Sequence, residues 1–476
     1  MSADAVVINP WMMLPFGALL AMIALAPLFF GEWWARHYPK VAFGLGVVSL
    51  AYYFFGLNAA IRVWHTAHEY LSFIALVGSL YVVSGGIHIN LKGEATPGIN
   101  TMFLLAGGVL ANLLGTTGAS MLLIRPWLRL NRHRAAAYHV VFFIFLVSNV
   151  GGCLTPIGDP PLFLGYLMGI PFWWVAEHCL LMWAAGMGML LAMFYFMDRR
   201  AHLRLSPAAG AGPGETRRGF HIEGLPNLFF LAVIIGSVFI DSPPFLREGL
   251  MIAAALGSWF ATRKSVHISN EFNFHPIQEV AILFAGIFAT MMPALDWLEG
   301  NAGQLGGASA SFFYWGCGSL SSLLDNAPTY VCFFKAISAQ LVDSDTIHQV
   351  NQLIQTHGAD FAAVTGPHAE QIRQTWAALQ THYSAQLAAG TVGTDEIQVA
   401  GLLGNAGHNG YLVAISVAAV FFGANTYIGN GPNFMVKSIA EHQKVPTPSF
   451  FEYLWRFTLP CMLPVLLAVW WLFFRH

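Results

Sequence analysis

Charged residues are scarce in this chain of 476 residues, where Asp, Glu, Lys and Arg together make up only 10%. Ordinary soluble domains carry about 25%. Hydrophobic residues make up 56% of the sequence and the mean hydropathy is +0.58, which indicates a polytopic membrane protein. The formal net charge is −2. The chain therefore lacks the basic excess that attracts phosphate backbones, and we expect no nucleic-acid partner.

Cysteine and the common enzyme motifs are also sparse. The five cysteines are scattered and form no C-x-x-C pair, which argues against a disulfide framework or a zinc site. The chain has no H-E-x-x-H motif and no G-x-x-x-x-G-K-[ST] motif, which argues against a zinc protease and against a P-loop nucleotide hydrolase. We expect a protein that is not an enzyme and has no cofactor. The first apolar run lacks a basic leader and a cleavage site, and predicts an uncleaved transmembrane helix.

Apolar runs of spanning length, about 20 residues, recur along the whole chain. They predict an all-α polytopic membrane protein with about 10–12 transmembrane helices. The predicted organisation is a first transmembrane repeat at 1–197, a cytoplasmic linker at 198–224, a second repeat at 225–341 and 400–476, and an extracytoplasmic insertion at 342–399. The apolar runs lie at 12–30, 41–57, 70–87, 99–124, 135–150, 162–170, 173–196, 225–240, 249–262, 276–295, 311–341, 402–422 and 451–474.

One apolar stretch cannot be a continuous helix. Residues 148–163 read S-N-V-G-G-C-L-T-P-I-G-D-P-P-L-F, and three prolines and three glycines interrupt the helical hydrogen bonds. Non-helical backbone at membrane depth is tolerated only where it is buried in protein or lines a wet cavity. An intramembrane carboxylate such as Asp159 is costly and is a functional-site hypothesis by default. We therefore expect the ligand to bind here.

A partial second copy of this motif lies in the second half. T-P-I-G-D-P-P-L-F at 155–163 and T-Y-I-G-N-G-P-N-F at 426–434 match at five of nine positions. Each copy follows a polar break in an apolar run, T-T-G-A-S at 116–120 and D-N-A-P-T at 325–329. Thr155 follows Thr116 by 39 residues and Thr426 follows Asp325 by 101, so the excess of 62 is close to the length of the insertion. Paired interrupted segments of this kind are typical of a transporter binding site between inverted repeats.

Basic residues predict the orientation of the chain. The loop at 125–134 has four arginines and no acid, and the linker has five arginines, so both are predicted to be cytoplasmic. The insertion has one basic residue, Arg373, and six acids, which predicts the opposite side. Inverted repeats require that the loop at 125–134 and the insertion lie on opposite faces. We expect the insertion to form a pair of short surface helices.

Two acids lie within the polar breaks, one in each half: Asp159 and Asp325. Burial disfavours the charged form of a carboxylic acid, so such a group can exchange protons closer to neutral pH. When it is deprotonated among hydroxyl, amide and carbonyl oxygens, it suits a hard cation such as sodium. The proton and the cation would then compete for one site. The alternative role for each acid is a helix cap beside proline.

Neutral side chains in the breaks complete the predicted sodium and proton site. Their alternative role is a hydrogen bond between helices. The candidates are Asn149, Thr155, Asn326, Asn425, Thr426 and Asn430, with a weaker claim for Thr116, Thr117 and Ser120. Lys335, ten residues beyond Asp325, is either an interfacial lysine or the counter-ion of that acid.

The motifs resemble those of the ion transporter superfamily, near the bacterial NhaD-type sodium/proton antiporters and the citrate-transporter-like proteins beside them. The strings that carry the resemblance are S-N-V-G-G-C-L-T-P-I-G-D-P-P, L-L-D-N-A-P-T and A-N-T-Y-I-G-N-G-P-N. It implies two inverted repeats, each with a helical hairpin and a broken helix, in a homodimer of the bacterial inner membrane. It also implies sodium/proton exchange by alternating access, with ion-site residues Asn149, Thr155, Asp159, Asp325 and Asn326. The second motif departs from this pattern, because Asn430 stands opposite Asp159.

Two other functions fit parts of the sequence. A cation-coupled carrier of citrate or another carboxylate would use the same broken helices, but an anion site usually includes a basic residue and these motifs contain none. An intramembrane aspartyl protease would use Asp159 and Asp325 as a catalytic dyad, since P-I-G-D at 156–159 partly matches G-x-G-D and P-A-L occurs at 293–295. That reading lacks the first glycine and leaves the internal repeat unexplained.

Overall fold

The fold is described from a computed structural model of the chain, for residues 8–92, 95–204, 219–240, 242–301, 307–359, 361 and 364–475. In the described part of the chain, eight helical segments are by length and composition apolar enough to cross a membrane, which confirms the predicted all-α polytopic membrane class. The first half contains α1 Leu14–Phe29, α2 Gly31–Ala51, α3 Ala60–Gly85, α4 Pro97–Leu130, α5 Ala137–Leu146, α6 Pro160–Leu167 and α7 Phe172–Arg204.

The second half begins with apolar helices of several lengths. These are α8 Asn227–Ser237, α9 Leu246–Ala261, α10 Lys264–Ser269, α11 His275–Asn301, α12 Ala310–Ser321 and α13 Asn326–Leu341. Among its described residues the insertion forms four short helices where we expected two: α14 Ser344–Gln355, α15 Ala369–His382, α16 Ser384–Ala389 and α17 Thr394–Leu403. The chain ends with α18 Ala406–Phe422, α19 Gly431–His442, α20 Phe450–Tyr453 and α21 Leu463–Phe473.

A small sheet joins the two halves and was not expected from the sequence. Strand β1 His88–Lys92 pairs antiparallel with β2 Gly219–Glu223, with His88 opposite Glu223. The second strand lies within the predicted linker, whose residues 205–218 fall outside the described part of the chain. Helix α7 also continues into that linker as far as Arg204.

Helix α4 is a hairpin and not a single span. Asn100 near its start and Asn131 just after its end exchange amide hydrogen bonds of 2.8 and 3.2 Å. A straight helix would hold these residues about 46 Å apart. The chain turns back at Gly115, whose φ of 72° lies in the left-handed region that favours glycine. The polar break predicted at Thr116 is therefore the tip of a helical hairpin.

Helices α12 and α13 form a second hairpin. The side chain of Gln340 donates a 3.2 Å hydrogen bond to the carbonyl of Ala308, although 32 residues separate them. The four residues 322–325 between the two helices form the tip. Asp325 caps α13 by accepting a 3.1 Å hydrogen bond from the amide of Ala327. Both polar breaks found in the sequence thus correspond to hairpin tips.

The two broken helices lie at the centre of the molecule. The eight residues 140–147 in and after α5 are all fully buried, and the same holds for most of α18. A helix that is apolar on every side is typical of the interior of a bundle. Each broken helix resumes after an extended residue, Asp159 before α6 and Asn430 before α19. Both resumed helices have proline in their first turn. Proline fits there because a backbone N–H in the first turn has no partner within the helix, so its absence costs no hydrogen bond.

A buried polar cluster secures the open end of the first hairpin. The carboxylate of Asp198 on α7 is fully buried. It accepts hydrogen bonds of 2.7 Å from Arg134, 2.7 Å from Tyr138 and 3.0 Å from Asn100. A buried carboxylate with an arginine and two neutral donors is well compensated, in contrast to an isolated buried charge. This cluster joins α4, α5 and α7 away from the hairpin tip.

Candidate functional site

Four chain breaks meet at the carboxylate of Asp159, which is 1% exposed. Its Oδ1 accepts hydrogen bonds from the hydroxyl of Thr116 at 2.6 Å and from the amide of Asn430 at 3.0 Å. Its Oδ2 accepts from the amide of Asn326 at 2.6 Å. The three donors come from the tip of the first hairpin, the second broken helix and the tip of the second hairpin. Residues from both halves therefore hold one acid.

Every hydrogen-bond donor to Asp159 is electrically neutral. Among the described residues, none of the ion pairs includes this carboxylate. Hydrogen bonds to a charged group contribute about 1.5–3 kcal/mol each, whereas taking an ion out of water costs several kcal/mol. A proton or a cation at Asp159 would cancel the remaining charge.

Two buried amide oxygens at the chain breaks, those of Asn326 and Asn425, lack a donor among the described residues. Asn326 is fully buried and its Oδ1 accepts no hydrogen bond from the described residues. The Oδ1 of Asn425 is likewise buried and accepts none, while its Nδ2 donates to the hydroxyl of Ser322 at 2.8 Å. An unsatisfied buried acceptor costs about 1–3 kcal/mol. Hard cations bind carboxylate and amide oxygens of this kind.

A chain of amides connects the two broken helices behind Asp159. Asn149 donates to the side chain of Asn433 at 2.7 Å and to the carbonyl of Ile144 at 2.8 Å, and its own oxygen accepts from Asn430 at 3.2 Å. The Nδ2 of Asn433 donates to the carbonyls of Gly423 and Thr426 at 2.8 and 2.9 Å. Asn433 is part of the second motif string, but its role was not predicted. These amides satisfy the carbonyls that the breaks release.

Thr155 and Thr426 make equivalent contacts. The hydroxyl of Thr155 donates to the carbonyl of Asn112 at 2.6 Å and accepts from the amide of Gly158 at 3.1 Å. The hydroxyl of Thr426 donates to the carbonyl of Ser322 at 2.6 Å and accepts from the amide of Gly429 at 3.0 Å. Each threonine therefore links a broken helix to a hairpin by a hydrogen bond. Neither threonine is among the described residues that hydrogen-bond to the Asp159 carboxylate.

These matched contacts establish which residues correspond between the halves. Thr116 lies four residues after Asn112, and Asn326 lies four residues after Ser322, so Thr116 corresponds to Asn326. Both donate to Asp159. Our alignment of Thr116 with Asp325 from spacing was therefore one residue out of register. Thr116, given a weaker claim from sequence, contacts the central acid directly.

Asp325 has a different role from Asp159. Its carboxylate caps α13, as the alternative reading proposed, and it shares no hydrogen bond with Asp159. The two carboxyl groups are therefore not joined by the hydrogen bond expected of a tight aspartyl dyad. Lys335 is also not its counter-ion, because the lysine pairs at 2.9 Å with Asp395 of the insertion.

A small cavity lies against the acid on the side of α3. It has a volume of about 20 Å³, room for one water molecule. It is lined by Leu76, Val77 and Leu80 of α3, by the hairpin tip at 114–118, by 156–160 and by Phe163. Thr117 therefore faces this cavity, whereas Ser120 lies deeper and shares a 2.7 Å hydrogen bond with Ser148. The cavity therefore lies between Asp159 and α3.

The family of the chain follows from comparison with known proteins. The model of the CitMHS_2 family, described as "Putative citrate transport", matches residues 5–474. The chain belongs to this family. No curated protein matches it. Membership identifies a multi-pass membrane transport protein and agrees with the superfamily resemblance, at a coarser level than the NhaD type.

Proposed function

We propose that this member of the CitMHS_2 family is a secondary transporter that binds a small cation, sodium or lithium, at Asp159 and exchanges it for protons across the bacterial inner membrane. The observation that carries the proposal is the buried carboxylate of Asp159, whose hydrogen bonds from the described side chains come from three neutral donors, Thr116, Asn326 and Asn430. A site for a bare anion would instead place a positive charge at this position.

Competition between proton and cation is the proposed coupling mechanism. The deprotonated carboxylate attracts a cation, and the amide oxygens of Asn326 and Asn425 are suitable neutral ligands. Protonation removes the charge and with it most of the attraction. A carrier that changes its access only when Asp159 holds one of the two ligands would exchange them obligatorily. The four chain breaks around the acid provide elements that can rearrange without exposing backbone groups to lipid.

A cation-coupled citrate carrier is the second candidate, and the family description favours it. The helices α6, α13 and α19 all begin at the site. Amides at helix N-termini attract carboxylates. A bound cation at Asp159 would supply the positive charge that the motifs themselves lack. In this mechanism the cation binds first and the carboxylate depends on it.

Ion flux in proteoliposomes tests the two candidates directly. The purified protein is reconstituted with a pH-sensitive dye inside the vesicles and challenged with sodium, lithium, potassium and then citrate. Sodium-evoked proton movement without citrate uptake supports exchange, whereas sodium-dependent uptake of labelled citrate supports the carboxylate carrier. Asp345→Asn, which changes an exposed acid of the insertion, is the matched control for Asp159→Asn. Proton movement that persists in Asp159→Asn at the wild-type rate would overturn the proposal.

A further inference from the structure

The insertion holds the far end of α13. The amide of Gln371 on α15 donates a 2.6 Å hydrogen bond to the carbonyl of Leu341, the last residue of α13. One and a half turns earlier on the same helix, the ammonium of Lys335 lies 2.9 Å from the carboxylate of Asp395 on α17. The lysine side chain is 7% exposed and that of Asp395 is 45% exposed. The pair therefore connects a buried position on α13 to the surface of the insertion.

The same insertion holds the far end of α6. The hydroxyl of Tyr383, a buried residue between α15 and α16, donates a 2.7 Å hydrogen bond to the carbonyl of Gly169. Gly169 follows α6 by two residues and has a φ of 109°, where a side chain would be strained. A Cβ there would lie 3.3 Å from the side chain of Glu396, so the insertion packs closely on this turn.

Both helices begin at the cation site. Helix α6 starts directly after Asp159, and α13 starts with Asn326, which donates the 2.6 Å hydrogen bond to that acid. Between their ends the helices pack closely, since a Cβ on Gly165 would lie 2.6 Å from the hydroxyl of Tyr330. The two helices are thus joined at the site by Asn326 and Asp159, and at their far ends by the insertion.

We propose that the insertion is a brace that fixes the relative position of α6 and α13, with Lys335, Asp395 and Tyr383 acting as positioning residues for the Asn326–Asp159 contact. The consequence for cation affinity rests on the proposed function, but the brace itself does not. Asp395 has a suitable charge state for this role. Partial burial alone would raise its pKa, but the Lys335 ammonium holds the pKa below its usual value, so the pair is ionised at neutral pH.

Hydrogen–deuterium exchange of the purified full-length protein tests the brace without requiring transport. The variants are Lys335→Met, Asp395→Asn and Tyr383→Phe, with the charge-swapped pair Lys335→Glu/Asp395→Lys as a rescue. Glu370→Gln is the control, because this insertion residue accepts its hydrogen bond within α15, from the amide of Gln374. We expect exchange in peptides covering 160–170 and 326–341 to become about fivefold faster in each single variant. The swapped pair should restore part of the protection, and the control should match wild type.

A second measurement connects the brace to the site. If the geometry at Asp159 depends on the brace, the half-saturating sodium concentration for proton movement should rise about fivefold in Asp395→Asn with little change in maximal rate. Faster hydrogen–deuterium exchange that is confined to residues 344–403, with 160–170 and 326–341 unchanged, would overturn the brace. If the wild-type protein shows no sodium response, the proposed function fails. The hydrogen–deuterium exchange experiment then still decides whether the brace exists.

Discussion

Replacement of Asp159 by Asn should abolish cation exchange and leave the fold intact. The carboxylate sits among neutral donors, so an amide at this position meets Asn326 with its nitrogen. The oxygen of Asn326 has no donor, and a half-turn of that amide would place the oxygen opposite the new nitrogen. One N–H of the new amide and the N–H that Asn326 now donates to Asp159 would then both lack an acceptor, which costs about 1–3 kcal/mol for each group.

In contrast to the lost hydrogen bonds, the loss of the buried charge stabilises the folded protein. Burying an ion without a counter-charge costs several kcal/mol, and the amide removes this penalty. We therefore expect the melting temperature of Asp159→Asn to lie within about 5 °C of wild type. For cation affinity, no favourable effect of the substitution offsets the loss of the carboxylate charge. Removing one partner of a buried charge pair costs about 3–5 kcal/mol, which corresponds to two to nearly four powers of ten in affinity.

Two measurements on the same preparation separate these effects. Sodium-dependent thermal stabilisation reports binding, and dye-reported proton movement in proteoliposomes reports exchange. Asp159→Asn should show neither, and its monodispersity should match that of wild type. Asp345→Asn should behave as wild type in both assays. Sodium stabilisation of Asp159→Asn at wild-type concentrations would refute the assignment of the cation to this carboxylate.

Three further predictions concern packing, charge and orientation. Gly158→Ala should lower the melting temperature and abolish transport, because its Cβ would lie 2.1 Å from a backbone oxygen, whereas Gly410→Ala, with open space, should match wild type. Asn430→Asp places a second carboxylate 3.0 Å from Asp159 and should shift the pH dependence of exchange toward higher pH, measured by proton flux at several pH values. A tag near Gly366 should be labelled from outside and a tag near Gly210, which lies outside the described residues, only from the cytoplasm.

The sequence predicted the positions of the chain breaks better than it predicted the geometry around them. Proline, glycine and a carboxylate in one apolar run identified the break at Asp159, because this combination is incompatible with a lipid-facing helix. The second motif led to Asn430 through direct alignment. The hairpin at Gly115 could not be predicted from hydropathy alone, because both arms are apolar and only the backbone shows that the chain reverses there.

Several roles depend on contacts that no local pattern reveals. Asn112 and Ser322 accept hydrogen bonds from threonines 43 and 104 residues away. Asn433 was visible in its motif, but its partner Asn149 is 284 residues distant. The contacts of the insertion with Leu341 and Gly169 are tertiary, so its polar sequence did not predict them. Whether the two halves are inverted in the membrane stays a prediction from charge and order.

The two halves make equivalent contacts, but their acids lie at different positions relative to those contacts. Thr116 corresponds to Asn326, so Asp325 stands opposite Gly115, and Asp159 stands opposite Asn430. If each half carried an acid at the position of Asp159, two carboxylates would face each other at the centre and repel. With Asn430 in place of a second acid, the two side chains share a 3.0 Å hydrogen bond and one carboxyl group remains at the meeting point. One acid therefore lies where the two halves meet, and the proposed cation site has Asp159 as its single carboxylate.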